Sequence, residues 1–160
     1  LTESLLGNWQ FNTIGTFRTG PPISLGTTNC VGTWGHCGPD VVPGKDPKNA
    51  PPGGRRPAEW FDTSAVTFPH VLPNGFGTPG NLGLQALNRP GQRSVDVSLF
   101  KAFPITERIA VQFRAEAFNL ANTPQWGEPN SQQGNPAFGQ ITCTQSGTER
   151  HVQFALRVSV

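Results

Sequence analysis

The residues of this chain best equipped for chemistry are three cysteines and three histidines, and their spacing argues against a reacting centre. Cys30 and Cys37 lie in a Gly-rich stretch and could close a small disulfide loop in an oxidising compartment. His36 sits between them, but a fourth ligand and the CxxC spacing of a zinc site are both missing, so no metal is expected. His36, His70 and His151 are far apart in sequence. Asp62 and Ser64, beside Trp60 and Phe61, read as ordinary turn residues. The Gly-rich run Gly75–Gly80 lacks the Lys-Ser/Thr pair and following helix of a phosphate loop. No enzyme and no cofactor are expected. Ligand contact has better candidates, because Trp34, Trp60 and Phe61 stand in one long loop segment with Phe68 and Phe76. Their faces could stack on sugars or flat apolar surfaces, or else pack the loop against itself.

Charge supplies little. Twelve basic and ten acidic residues are scattered along the chain, and Arg55-Arg56 is the one adjacent basic pair. A nucleic-acid groove would concentrate positive charge, so no nucleic-acid partner is expected. No run of 18 apolar residues exists, which excludes a transmembrane helix. A transmembrane strand needs only about 9–11 residues and stays open. The chain does not begin with Met, so an upstream start is expected, and for such a fragment the lack of a secretory-signal pattern in Leu1–Gln10 carries no information.

The elements that must position these residues are strands. Glycine and proline, 19 and 16 of 160 residues, oppose long helices. Four segments alternate with period two. They are WQFNTIGTFR at about 9–18, SVDVSLFKAF at 94–103, RIAVQFRAEAFNL at 108–120 and HVQFALRVSV at 151–160. In the second, Val95, Val97 and Leu99 share a face opposite Ser94, Asp96 and Ser98; Lys101 lies on the apolar side near the strand end, and Phe100 breaks the pattern. In the third, Val111 and Phe113 oppose Arg114 and Glu116. In the fourth, Phe154, Leu156 and Val158 oppose Gln153 and Arg157. Residues 19–92 hold 12 of the 16 prolines and form a long loop; 121–150 form a second. A short strand near Ala65–Phe68 is expected within the first.

The link between the second and third strands, Pro104–Thr106, suits a three-residue loop. That register sets Asp96 against Arg114, Ser94 against Glu116, Val97 against Phe113 and Leu99 against Val111, matching both faces. Alternation of this kind fits either a soluble sandwich or a barrel wall. Polar faces mixing charge with Gln, Asn, Ser and Thr suit a watery or plugged lumen. If the last strand ends in the periplasm, the Pro104–Thr106 loop is a periplasmic turn and both long segments are extracellular, the usual barrel asymmetry. The same parity makes FGQITCT at 138–144 less than a crossing; it could pair with the start of the fourth strand. Four strands cannot close a barrel, so further wall is expected upstream.

Longer words in the sequence support the barrel. SVDVSLFKAFPITERIAVQFRAEAFNLANTPQWGEPN, then NPAFGQIT and RHVQFALRVSV, resemble the C-terminal end of TonB-dependent receptor-like proteins of the Oar-like type, which carry a carboxypeptidase regulatory domain. GNWQFNTIGTFRTGPPISL, RRPAEWFDTSAVTFP, GTPGNLG and NRPGQRSVDVSLFK extend the resemblance over nearly the whole chain. It implies an all-β fold: residues 1–160 as the C-terminal strands of an antiparallel transmembrane β-barrel of about 22 strands, with long extracellular loops. It implies an outer-membrane location and energy-coupled uptake of an unidentified substrate. The partners it implies are outer-membrane lipid, an upstream plug and the remaining strands, the TonB complex and the barrel assembly machinery. Asp96, Arg114, Glu116 and Arg157 would face the lumen. Val97, Val111, Phe113, Phe154 and Leu156 would face lipid. Phe154 and Val160 would belong to the terminal assembly signal, although Val160 stands where the family usually has an aromatic. Ala121 and Trp126 also replace a common Phe. The alternative is a secreted or surface β-domain that binds protein or glycan without transport.

Overall fold

A computed structural model describes residues 7–28, 37–73 and 75–159. Its strands, in chain order, are β1 (Trp9–Arg18), β2 (Pro22–Ile23), β3 (Gly26–Thr27), β4 (Asp40–Val41), β5 (Val66–Thr67), β6 (Leu87–Asn88), β7 (Gln92–Pro104), β8 (Ala110–Phe118), β9 (Gln132–Gln133) and β10 (His151–Ser159). A 3-10 turn, Thr63–Ala65, is the helical element among the described residues. The fold is all-β, and the chain forms two compact units: one of Leu1–Arg18, Gln92–Gln125 and Ser146–Val160, the other of Thr19–Gly91 and Trp126–Gln145.

The first unit is an open antiparallel sheet in the order β1-β7-β8-β10. Strand alternation sends successive side chains to opposite faces. One face therefore carries Phe11, Phe17, Val97, Val111, Phe113, Phe154 and Leu156. The other carries Asn12, Thr16, Ser94, Asp96, Arg114, Glu116, Gln153 and Arg157.

The register between β7 and β8 differs from the expected one. Val97 pairs with Ala117, Ser98 with Glu116 and Phe100 with Arg114, so Asp96 does not oppose Arg114, and Val97 does not oppose Phe113. The cause lies in the turn. Thr106 Oγ1 accepts from the amides of Arg108 and Ile109 at 3.3 and 3.0 Å, while the amides of Ile105 and Thr106 donate to the Ile109 carbonyl at 2.9 and 3.0 Å. A hydroxyl-capped turn over Ile105–Ile109 replaces the three-residue loop. The slip is even, so both faces survive it. It also accounts for Phe100 on the polar face: the Arg114 guanidinium lies 4.7 Å from that ring.

The second unit corrects the picture of plain loops. Ile23, Leu25, Phe61, Val66, Leu82 and Leu87 form a buried core, with Trp60 and Phe138 packed against it. Phe61 and Phe138 meet edge to face at 5.2 Å. Antiparallel pairs β2–β6 and β4–β5 and the parallel pair β3–β9 bring distant segments together. Asp40 ties three of them: its carboxylate accepts from the amides of Asn81 (2.9 Å) and His70 (3.3 Å), while the Val41 amide donates to Asn81 Oδ1 (2.7 Å). Gly80 sits at φ +75°, and a Cβ there would collide with the Gly38 carbonyl oxygen, so that crossing requires glycine. FGQITCT does not pair with β10. It stays in this unit, where Thr144 bridges Trp126 and the Ile141 amide donates to the Pro57 carbonyl at 2.7 Å.

Candidate functional site

The polar face of the four-stranded sheet gathers the charged candidates. Arg114 and Glu116, neighbours on one face of β8, form an ion pair at 3.2 Å. Gln153 stands directly across from Glu116 on β10, and its Nε2 donates to Glu116 Oε2 at 2.6 Å. Arg157 shares this face, opposite Gln112. Asp96 lies farther along β7. Its Oδ1 accepts from Ser94 Oγ at 3.0 Å and from the Asn119 amide at 2.8 Å. The four residues therefore share a face, but they do not form the Asp96–Arg114 pair expected from the sequence.

The apolar face is open. Phe154 and Leu156 are 71% and 73% exposed, and Phe11 and Phe17 are 64% and 71% exposed. Val97, Val111 and Phe113 on the inner strands are half-buried. Phe113 stacks diagonally on Phe154 at 6.2 Å. Among the described residues of this face, Lys101 is the one strongly polar group that is fully covered, at 2% exposure. Its ammonium donates to the Gly7 carbonyl at 2.9 Å and lies 4.5 and 5.2 Å from the Trp9 and Phe103 rings. The carbonyl and two ring faces replace the water that a lysine loses on burial.

At the end of the sheet opposite the Ile105–Ile109 turn, a cavity of about 470 Å³ opens on the polar face. Thr16, Arg18, Ser94, Asp96, Phe118 and His151 are among the residues that line it. Arg18 donates to Gln92 Oε1 across the β1–β7 pair.

Two residues that build this end carry no periodic signal in the sequence. Asn119 is buried in the left-handed region at φ +47°, where Asn is tolerated better than most residues. Its Nδ2 donates to the carbonyls of Thr123 (3.0 Å) and Thr148 (2.8 Å), and its Oδ1 accepts from the Thr123 amide (3.0 Å). One side chain thus holds the exit from β8 against the entry to β10. Gln125 is equally buried. Its Oε1 accepts from the Arg93 amide at 3.1 Å, and its Nε2 donates to the Arg93 carbonyl, so a side-chain amide stands in for a strand neighbour where β8 has ended. The Asn119–Asn122 spacing was the available clue, since Asn122 is also left-handed at φ +50°.

We expect Asn119→Ala to lower sheet stability through two effects. A left-handed Ala costs about 1–2 kcal/mol, and each lost bond costs about 0.5–1.5 kcal/mol. Asn119→Gly removes the bonds but not the backbone freedom, so its loss is smaller. Urea unfolding of the full-length protein separates the two. Equal losses in Ala and Gly variants would reject the backbone contribution.

The other sequence candidates divide. Phe61, offered as a ligand contact, is 1% exposed and belongs to the core of the second unit, so it cannot meet a ligand there. Trp60 is half-buried; its Nε1 donates to the Asn88 carbonyl at 2.8 Å, and Arg55 lies 5.7 Å from its ring. Packing the loop against itself accounts for both. Asp62 caps the 3-10 turn, accepting from Ser64 N at 2.9 Å and Ser64 Oγ at 2.6 Å. The Ser64 hydroxyl holds the Asp62 carboxyl below the usual carboxylate range, aided by the Ser64 amide and Lys45. A carboxyl so stabilised as the anion is a poor base, and the hydroxyl is spent on the cap. Cys37 is disulfide-bonded, and Cys143 is free and exposed. Cys30, Trp34, His36 and Val160 lie outside the described residues. Among the described residues, no group of three or more His, Cys, Asp or Glu is placed to hold a metal ion.

A protein-family model described as an outer membrane beta barrel domain matches residues 1–153. No curated protein and no solved structure matches the chain.

Proposed function

This chain belongs to the outer-membrane β-barrel domain family, and we propose that the barrel it helps to build carries out TonB-dependent, energy-coupled uptake of a substrate. The outer-membrane location and the wall role come with the family. The observation that carries the proposal is the two-faced sheet. Phe154, Leu156, Phe11 and Phe17 are bare on one side, while Asp96, Arg114, Glu116 and Arg157 share the other. In this reading Val97, Val111, Phe113, Phe154 and Leu156 face lipid, and the charged set faces a lumen. Every backbone amide of such a wall must be paired in hydrocarbon, so the outer edges of β1 and β10 meet further strands of the same protein.

The sidedness in this reading takes the usual barrel asymmetry of short periplasmic turns and long extracellular loops. The short Ile105–Ile109 turn leaves one end, and both long segments leave the other, so the turn is periplasmic and the long segments are extracellular. Transport in this wall makes and breaks no bond. The ion pair and amides around Glu116 keep the lumen face wet and ordered, and an upstream plug fills the remainder. The long sequence words shared with TonB-dependent receptor-like proteins support coupling to TonB.

The test is direct. Full-length protein in detergent, with its barrel intact by heat-modifiable migration, is expected to bind the periplasmic domain of TonB saturably. A well-folded barrel that shows no such binding rejects energy-coupled transport and leaves the wall role standing.

A further inference from the structure

The cavity at the end of the polar face has the dimensions and chemistry of a small-molecule site. Its volume of about 470 Å³ falls within the roughly 300–1,000 Å³ of typical ligand pockets. Its floor is the sheet itself: Thr16, Ser94, Asp96, Phe118 and His151 come from four adjacent strands and point to the same side. Its rim is the Asn119 hub, which ties the exit of β8 to Thr148, also a lining residue. The site is therefore built on strands and on a turn anchored by the buried Asn119 side chain.

The lining selects among ligand classes. Arg18 is outnumbered by the carboxylates of Asp96 and Glu149, so no excess positive charge is present to hold an anionic chelate. Arg18 is already engaged with Gln92. What dominates is a mixture of hydroxyls, amides and carboxylates around one aromatic ring. Asp96 is held by two bonds to Oδ1, from Ser94 and Asn119, an arrangement that orients its second oxygen as an acceptor. Phe118 is 42% exposed and lines the cavity on the same face. An oriented carboxylate accepts from sugar hydroxyls, amides both donate and accept, and an aromatic face packs against the apolar side of a pyranose ring. We propose that this cavity is a carbohydrate site that takes one or two sugar rings of a glycan arriving at the barrel mouth. Its placement at the mouth rests on the barrel orientation given above; the binding chemistry does not.

The experiment uses the full-length protein in lipid nanodiscs. Calorimetric titration is performed with disaccharides covering gluco, galacto and N-acetylhexosamine rings, with triglycine as a zwitterionic control. Saturable binding of at least one disaccharide is expected, with none for triglycine. Phe118→Leu keeps an apolar side chain but removes the ring, and should weaken binding about two- to tenfold. Asp96→Asn keeps the acceptor for Asn119 but loses the charge, and should weaken binding as well; it carries the test if Phe118→Leu fails to assemble. Absence of disaccharide binding overturns the proposal. So does binding unchanged in both variants, or preferential binding of triglycine. Sugar binding without TonB binding would sink the transport reading alone, and TonB binding without sugar binding would sink this site alone.

Discussion

Leu156→Arg should destabilise the full-length barrel in lipid by about 2–4 kcal/mol, the cost of a cation on the lipid face of a barrel strand near mid-membrane. Leu156 lies near the centre of β10 and is 73% exposed on the apolar face. Its chain neighbour Ala155 points to the polar face, opposite Arg114. Ala155→Arg adds the same group to the same strand but leaves it in water, at the expense of repulsion from Arg114, which is small in an exposed aqueous setting. The pair of variants therefore isolates lipid contact from strand propensity and bulk. Reversible denaturant unfolding in lipid vesicles reads the difference. Comparable losses for the two substitutions would mean that hydrocarbon does not reach Leu156, and the assignment of Val97, Val111, Phe113 and Phe154 to the lipid face would fall with it.

Phe61→Ala should loosen the second unit by about 3–5 kcal/mol, the usual cost of emptying a buried phenylalanine site. Phe61 is 1% exposed, and removing its ring deprives Phe138 of its edge-to-face partner. Two cross-segment amides report the opening: Leu82, which donates to the Pro39 carbonyl at 3.1 Å, and Ile141, which donates to that of Pro57 at 2.7 Å. Hydrogen exchange at both should accelerate in the variant, while exchange within β7 and β8 stays slow. Unchanged protection of Leu82 and Ile141 would show that the core does not hold these segments together. The result bears on function, because ligand contact by the long segments then depends on surface residues of a packed body. An uncollapsed loop would place its aromatics differently.

The alternation written in the chain determined the strands, their two faces and the side chains that share each one. Period two is a local property, since each residue's side follows from its neighbours' backbone alone. What alternation leaves open is the absolute register, because a shift by an even number of positions preserves every face. Tertiary structure made that choice through the Thr106 hydroxyl in the turn and the Asn119 amide on Asp96. The opposite-charge partner that local reasoning gave to Arg114 went to Glu116 on its own strand instead. The core around Phe61 left no periodic trace, because its members come one or two at a time from short strands and loops widely separated in sequence. The cavity shares that origin: its floor residues are local to four different strands and its rim to two loops, and only sheet pairing brings them to one end of one face.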